Sequence, residues 1–307
     1  MHNINLRYFY QVGRTGSLTA AAERLNVAVS AVSRQILNLE TETGVALFER
    51  RARGMALTAA GEILMGYARR NFLELEQVMA EMKGIHAIGQ RVVTLASSEG
   101  FAWDLMPAVI ARFRGSYPGI QFKLHVVSAS KASKMVIDGD ADLAITYSLS
   151  PVNELAISYH EPAPMFALMR NDHPLATRKL LSLSDLQPYS LALPEEGTTV
   201  RQLLDIACSL RSLTLTSVFT SHSLSSIYRF TQLSENIVAP GSFFTMHSRA
   251  AEDKMSLIAL ADAELHQRIL QVQTMAGRKL PPAIGAFVDF LVGELRHAKA
   301  QQDMREP

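Results

Sequence analysis

Apolar residues near the start of the chain recur at the spacing of two short helices. The run 18–25 consists largely of strong helix formers and follows Ser17, which stands at an N-cap position. A second run begins at Ser30, another candidate N-cap, and repeats apolar residues at i, i+4 and i+7, at Val32, Ile36 and Leu39. Residues 26–29 would join the two helices. The pattern predicts a helix-turn-helix, preceded by a shorter helix over 6–12.

The predicted second helix carries small and polar residues opposite its apolar stripe. In a helix-turn-helix this helix lies in the major groove and presents its N-terminal and outward residues to base edges. The candidate DNA-contacting residues are Ser30, Ala31, Ser33, Arg34, Gln35 and Asn38. Gln and Asn can pair with adenine, and Arg with guanine or a phosphate. On spacing alone, an ordinary α-hairpin with a solvated polar face explains the helix pair equally well.

Two short apolar segments, 45–48 and 55–57, follow around a basic tip. They predict a β-hairpin wing whose arginines, Arg50, Arg51 and Arg53, would follow phosphates or enter a minor groove. A solvated charge run is the alternative, and its position directly behind the helix pair weakens it. The first sixty residues hold seven arginines against four glutamates, a net charge of +3, whereas the whole chain carries +1. Basic charge is therefore concentrated at the front of the chain.

A long helix with a sustained apolar seam is predicted after Thr58, which can cap it. The seam runs for about five turns through Leu64, Ala68, Phe72, Leu75, Met79 and Met82. A seam of this length needs a partner, either the same helix of a second subunit or the helix's own domain. Residues 83–90, with two glycines, are the predicted hinge.

From residue 91 short apolar strands alternate with amphipathic helices. Such βαβ units require a parallel sheet with right-handed crossovers. Two α/β lobes are predicted, the first over about 91–160 and the second over about 161–265. Residues 266–301 would then return to the first lobe, with a strand over 269–275 and a final helix.

A candidate ligand site follows from this second pattern. Ligands of open α/β sheets bind beyond the carboxyl ends of the strands, where helix N-termini present free N–H groups. That rule selects Ser97, Ser98, Glu99, Gly100, Ser128, Ser130, Thr146, Thr198, Thr199, Ser221 and His222. Hydroxyls at helix starts suit a carboxylate or another small polar anion, although each could merely cap its helix. Glu99 would repel an anion unless it is protonated or turned away, and it could instead pair with an amino group.

Composition narrows the function classes. Hydrophobic residues make up 48% of the 307 residues and charged residues 19%, values ordinary for a folded soluble protein. The chain begins without a signal peptide and has no apolar stretch near the roughly 18 residues of a membrane span, so we expect a cytoplasmic protein with no membrane partner. The single cysteine, Cys208, allows no internal disulfide. Motifs for catalysis or for metal and cofactor binding are missing, so we expect no enzyme, metal or cofactor.

Four segments of the first sixty residues together resemble the signature of LysR-type transcriptional regulators. In order, they are 17–25, 33–40, 44–50 and 57–61. The second half is similar to the periplasmic-binding-protein-like effector domain of the same family, and its best local match is 139–145. A transport-type solute-binding protein would share that second half but would have no use for a helix-turn-helix.

The resemblance implies a complete domain plan. A winged helix-turn-helix would cover 1–60, a dimerising linker helix and hinge 58–90, and a two-lobed α/β effector domain 91–301. The implied function is sequence-specific binding of promoter DNA under control of a small-molecule effector, such as a small organic acid or an amino-acid-like metabolite. The implied assembly is a homodimer and, beyond it, a homotetramer, with RNA polymerase as a further partner.

Two departures from the family pattern are visible. Many members carry a polar residue, often Gln, where this chain has Val29, which can touch a thymine methyl but cannot hydrogen-bond a base. The Gly-x-Gly that often precedes the strand ending at Pro240 is replaced by the segment 233–236. We therefore expect base readout and the second lobe to differ locally from the family.

Overall fold

The computed structural model describes residues 4–52, 54–82, 92–149 and 154–303. The chain divides into two compact units, Met1–His86 and Ala87–Pro307. Arg53 and the predicted hinge over 83–90 lie outside the described residues. Within the described ranges, no helix is long and apolar enough to cross a membrane.

The described part of the first unit consists of four helices and a β-hairpin. Their bounds are α1 (Ile4–Thr15), α2 (Leu18–Leu25), α3 (Val29–Thr43), β1 (Phe48–Arg51), β2 (Gly54–Leu57) and α4 (Ala59–Met82). The predicted helix-turn-helix and wing are confirmed, and β1 pairs with β2 antiparallel. Ser17 caps α2 as predicted, accepting a hydrogen bond from the Ala20 N–H at 3.3 Å. The prediction that Ser30 caps the second helix is wrong, because α3 begins one residue before it, with Ala28 at the N-cap position.

One apolar core holds this unit together. It contains the stripe Val32, Ile36 and Leu39 of α3, the α2 alanines, Phe9 of α1 and Phe48 of β1. Met65 and Ala68 of α4 are buried in the same core. The first turns of α4 are therefore part of the helix-turn-helix fold and not a free connector.

Two glycines allow backbone segments of this unit to approach each other more closely than any residue with a Cβ would permit. A Cβ placed on Gly61 would lie 2.1 Å from the carbonyl oxygen of Leu47, so only glycine fits at that point of α4. Gly54 has φ +123°, and a Cβ there would lie 2.3 Å from the carbonyl oxygen of Gly16. The wing is thereby packed directly against the turn between α1 and α2.

The second unit contains two sheets. The five-stranded sheet has the order β4-β3-β5-β13-β6; β3, β4 and β5 are parallel, and β13 runs antiparallel between β5 and β6. Its strands are β3 (Val92–Ser97), β4 (Gln121–Val126), β5 (Leu143–Ser148), β6 (Leu155–Pro162) and β13 (Ile269–Met275). The helices packed around it are α5 (Glu99–Trp103), α6 (Leu105–Ser116), α7 (Ala129–Asp138) and α12 (Pro282–Asp303). We call this sheet with its helices lobe 1.

The six-stranded sheet forms lobe 2, in the order β10-β9-β11-β7-β12-β8. Its strands are β7 (Met165–Arg170), β8 (Leu180–Leu181), β9 (Ser190–Pro194), β10 (Thr216–Ser221), β11 (Ile237–Ser242) and β12 (Met255–Leu260). Its helices are α8 (Leu183–Leu186), α9 (Thr199–Leu210), α10 (Leu224–Leu233) and α11 (Phe243–Glu252). In place of the missing Gly-x-Gly, Asn236 adopts φ 55° just before β11, a left-handed conformation that asparagine tolerates.

The chain passes between the lobes twice, and the two passages touch. The first follows β6 at Ala163 and the second precedes β13 at Arg268. The N–H of Ala163 donates to the carbonyl oxygen of Arg268 at 2.8 Å. This contact joins the two crossing segments at the boundary of the lobes.

Candidate nucleic-acid interface and interlobe cleft

The outer face of α3 is the candidate DNA-reading surface. Val32, Ile36 and Leu39 anchor the inner face, so the residues between them face outward. Ser30, Arg34 and Asn38 are exposed, while Ala31, Ser33 and Gln35 are partly buried at the flanks of the helix. Val29, in the first turn, is 41% exposed, although a valine gains nothing from water. The predicted recognition residues therefore occupy one accessible helix face.

Glu40 fixes the orientation of this face, a role that the sequence analysis did not identify. Its carboxylate accepts hydrogen bonds from the backbone N–H groups of Leu47 at 2.7 Å and Phe48 at 3.2 Å. The C-terminal half of α3 is thus tied to the start of the wing. The signal in the sequence was only a glutamate at a helix position beside the apolar stripe, which is equally typical of a solvated residue.

The wing carries exposed arginines beside the recognition helix. Arg50 and Arg51 lie on β1, and Arg51 sits 3.4 Å from the Glu49 carboxylate. Both side chains of that pair are more than half exposed, so solvent screens the attraction and leaves Arg51 free to exchange Glu49 for a phosphate. Thr58 closes the hairpin and caps α4, since its hydroxyl donates to the Ala46 carbonyl oxygen at 2.7 Å and accepts from the Gly61 N–H at 3.0 Å.

The predicted effector residues lie at the carboxyl ends of strands in both lobes. Ser97 ends β3 and is fully buried, and Ser98 takes the N-cap position of α5 without a side-chain cap bond. Ser128 caps α7 by accepting from the Lys131 N–H at 3.4 Å, and its hydroxyl lies 3.3 Å from that of Ser130; both serines are exposed. Thr146 lies on β5 and is buried.

In lobe 2 the predicted residues surround the starts of α9 and α10. Thr198 caps α9, accepting from the Arg201 N–H at 3.2 Å, and Thr199 is the first residue of that helix. Ser221 ends β10 and accepts from the Ser223 N–H at 3.1 Å. The His222 side chain is 86% exposed and lies 3.9 Å from the Glu195 carboxylate.

Glu99 bridges the two lobes. Its carboxylate accepts from the Ser223 hydroxyl at 2.9 Å, from the Leu224 N–H and from the Ser225 N–H at 3.5 Å, all at the start of α10. A carboxylate is favoured there by the free N–H groups and the helix dipole. Glu99 is therefore turned toward lobe 2, and a Cβ on the neighbouring Gly100 would lie 3.3 Å from Leu224 and Thr245 side chains.

Tyr147 and Arg268 form a second contact at the boundary of the lobes. The Tyr147 hydroxyl donates to the Ser242 hydroxyl of lobe 2 at 2.7 Å, and its ring lies 4.5 Å from the ring of Phe101. The Arg268 guanidinium lies over the Tyr147 ring, with its central carbon 4.0 Å from the ring centroid. Burial raises the pKa of Tyr147 and lowers that of Arg268. The sequence analysis passed over Arg268, whose only signal was a charged residue directly before the strand predicted over 269–275.

Comparisons with known proteins agree with this arrangement. Residues 4–62 match the family described as bacterial regulatory helix-turn-helix protein, lysR family, and residues 88–296 match the LysR substrate binding domain. The chain is 28% identical over 295 residues to the RuBisCO operon transcriptional regulator of Allochromatium vinosum, covering 94% of this chain and 95% of that protein. It is likewise 28% identical over 298 residues to a probable nitrogen assimilation transcriptional activator of Synechocystis sp., covering 95% and 96%. Among solved structures, a full-length OxyR variant from Pseudomonas aeruginosa shares the fold with a TM-score of 0.64 at 21% identity, over 95% of this chain and 94% of that one.

Proposed function

The chain belongs to the LysR family of transcriptional regulators, and from this premise we propose which of its residues contact DNA and which contact an effector. It is a DNA-binding regulator with an effector-binding domain and not an enzyme. The observation that carries the assignment of DNA contacts is the exposed face of α3, anchored from behind by a buried stripe and tied to the wing by Glu40.

We propose that α3 reads base edges in the major groove. Its contacts would come from Ser30, Ala31, Ser33, Arg34, Gln35 and Asn38, and Arg50, Arg51 and Arg53 of the wing would hold phosphates. The test is retardation of promoter DNA from upstream of the chain's own gene, measured over a series of salt concentrations. We expect a specific complex whose affinity falls as salt rises, because each neutralised phosphate releases counterions. Equal affinity for an unrelated fragment would contradict sequence-specific binding.

We propose that the outer half of α4 pairs with the same helix of a second copy. Ala68 is buried in the DNA-binding core, but Met79 is 43% and Met82 76% exposed. The inner half of the predicted seam thus packs on its own domain, while the outer half presents apolar surface that a partner helix would cover. Such a homodimer would present two recognition helices to two half-sites related by a twofold axis. We further propose that these dimers pair into a homotetramer and that the protein contacts RNA polymerase in the cytoplasm. Light scattering that gives the mass of one chain at working concentrations would contradict it.

We propose that a small organic acid or amino-acid-like metabolite binds between the lobes, at the eleven residues named above. Binding would change how the lobes meet, and subunit contacts would pass that change to the angle between paired DNA-binding domains, altering the bend of the promoter. Ser98 is the sharpest test of this placement, because its hydroxyl caps no helix N–H although it takes the N-cap position of α5. We expect Ser98→Ala to spare DNA binding and to blunt the effector response. Unchanged effector affinity would mean that the site lies elsewhere.

A further inference from the structure

Arg268 occupies an unusual position for a charged residue. Among the described residues, Arg268 is one of the largest side chains that are fully buried. It lies where the chain passes back from lobe 2 to lobe 1. One of its five N–H groups, that of Nε, donates to the Ala163 carbonyl oxygen at 3.2 Å. The guanidinium is thus held in place at the crossing of the two connecting segments.

The positive charge of Arg268 has no countercharge among the described residues. Its Nη1 and Nη2 atoms are buried and have no hydrogen-bond partner in the described part of the chain. The Tyr147 ring attracts the guanidinium through its π face but carries no negative charge. Arg278, whose side chain is also nearly buried, has the countercharge that a buried cation ordinarily requires, because its guanidinium pairs with the Asp142 carboxylate at 3.1 Å. A buried cation without such a partner is strongly unfavourable unless an anion joins it.

Ser97 supplies a second orphaned polar group on the same face of the lobe 1 sheet. On β3, Ser97 lies on the same face as Val93 and Leu95 of the core. Arg268 directly precedes β13, two positions before Leu270 of that core. Tyr147 belongs to the same core face and reaches the boundary between the lobes. The Ser97 hydroxyl is buried and has no partner in the described ranges.

Thr146 does not belong to this set, although its hydroxyl is also buried and unpartnered in the described chain. It precedes Tyr147 on β5, so its side chain points to the opposite face of the sheet, and its register partner is Gln271. The buried polar groups without a partner on the core face are therefore a cationic fork at Arg268 and a hydroxyl at Ser97.

We infer that Arg268 is the anchor for the carboxylate of the effector, with the Ser97 hydroxyl as an additional donor. This inference rests on the proposal that an effector binds between the lobes, and it names the class of that effector as a monocarboxylate. The planar fork of Nη1 and Nη2 matches the two oxygens of a carboxylate. A single positive charge balances a monocarboxylate and leaves a sulfate or phosphate dianion undercompensated.

The acid reaches this anchor when the lobes separate. Tyr147 bonds to Ser242 and Glu99 bonds to the start of α10, so both contacts cross from lobe 1 to lobe 2. Breaking these hydrogen bonds, together with apolar contacts such as that of the Trp103 and Tyr228 rings, uncovers the Tyr147 ring and the guanidinium beside it. The lobes then close on the acid, whose charge replaces the missing partner of Arg268.

A purely structural role for Arg268, as a link between the crossing segments, makes the opposite prediction about stability. Arg268→Met keeps the volume and removes an uncompensated charge, so we expect the ligand-free protein to melt at the same or a higher temperature. Arg278→Met is the matched control, and it should lower the melting temperature because it leaves the Asp142 carboxylate without its countercharge, with only the Thr94 N–H bonded to it. A structural link would instead make both substitutions destabilising.

The experiment is a thermal-shift titration of the full chain with sodium acetate, pyruvate and benzoate, against sulfate and phosphate at equal ionic strength. We expect at least one monocarboxylate to raise the melting temperature of the wild type by on the order of 5 °C at about 100 times its Kd. Arg268→Met should abolish that rise, Ser97→Ala should reduce it, and Arg278→Met should retain it. If Arg268→Met does not fold, Arg268→Lys should fold and weaken the apparent affinity about tenfold, because a lysine cannot form the fork.

Three outcomes would overturn the inference. They are no rise with any carboxylate, a rise that persists in the Arg268 variants, and a rise with sulfate or phosphate alone. Promoter retardation by the wild type, measured without added acids, is read separately. Its loss would contradict the proposed function, whereas intact retardation with a failed titration would contradict only the carboxylate anchor.

Discussion

The recognition helix and the interlobe cleft place their polar groups in opposite ways. On α3, Arg34 and Asn38 stand in solvent, and the fold beneath them is complete without a ligand. At the boundary of the lobes, Ser97 and Arg268 are fully buried, and the Ser97 hydroxyl and both Nη atoms of Arg268 lack hydrogen-bond partners in the described chain. If the two proposals hold, the surface for a large, charged partner is complete in advance, whereas the site for a small ligand leaves part of its bonding to that ligand.

The largest expected effect comes from distorting the packed core beneath α3, because the exposed face of α3 depends on that core. Gly61→Ala would place a Cβ 2.1 Å from the Leu47 carbonyl oxygen, and we expect it to cost about 3 kcal/mol in the free energy of unfolding of the first unit. Gly66→Ala on the same helix is the control, since its Cβ would meet only the Arg70 side chain at 3.5 Å; it should be neutral or stabilise by about 0.5–1 kcal/mol. Denaturation followed by calorimetry measures both. Equal stability of the two variants would contradict the close approach.

Removing one exposed side chain tests the recognition surface without disturbing its platform. We expect Arg34→Ala to weaken promoter binding by about 1–3 kcal/mol, roughly 5- to 150-fold in Kd, with an unchanged melting temperature. Arg7→Ala, an exposed arginine on α1, should leave affinity nearly unchanged. Fluorescence anisotropy at two salt concentrations distinguishes a base contact from a phosphate contact, because only the latter lowers the salt dependence. Equal losses in both variants would mean that only the total charge matters.

At the boundary of the lobes, the corresponding test changes Glu99, whose carboxylate joins lobe 1 to the start of α10 in lobe 2. Glu99→Gln removes the negative charge at the start of α10 and leaves the side chain's size, so we expect the second unit to lose about 1 kcal/mol of stability. Promoter affinity without effector should stay as it is. Thermal unfolding of the full chain measures the first effect and DNA retardation the second. A stability equal to the wild type would show that the bridge contributes nothing.

The smallest expected effect is a dependence on pH that only the second unit shows. Burial lowers the pKa of His173, with Asp172 opposing the shift, so the folded protein favours the neutral ring. Its contribution to stability is complete above the ordinary histidine pKa of about 6.5. That contribution is lost as pH falls from there toward the lowered pKa. Residues 4–52 and 54–82 contain no histidine, so the packed core of the first unit should not share this loss.

His173→Asn separates this titration from the local structure. His173 caps a 3-10 turn by accepting from the Leu175 N–H at 3.2 Å, and asparagine can provide the same acceptor without a proton to gain. Melting curves of the second unit between pH 7 and 5.5 should therefore be flatter in the variant. An identical decline in both proteins would assign the effect to other groups.

The sequence predicted the first unit better than the second because its determinants are local. The i, i+4, i+7 stripe of α3 and the end of α2 before the connection 26–29 are set by residues within a few positions of each other, and both are confirmed. The start of α3 was misplaced, because a serine in a first turn resembles an N-cap.

In the second unit, β13 was predicted at its observed bounds, 269–275, from its apolar run, whereas β6 and α11 were missed. Most of β6 is exposed at the edge of the sheet, so it carries no apolar run. Arg268 was missed for a different reason. Its surroundings come from residues about 100 or more positions away, at Tyr147 and Ala163, which only the crossing of the lobes brings together.

The packing at the base of α4 has a mechanical consequence. Met65 and Ala68 are buried in the same core as the recognition helix, and Gly61 seats the helix against Leu47 at the entrance to the wing. The recognition helix and the first three turns of α4 therefore belong to one packed core, so a rotation of that end of α4 would carry α3 with it.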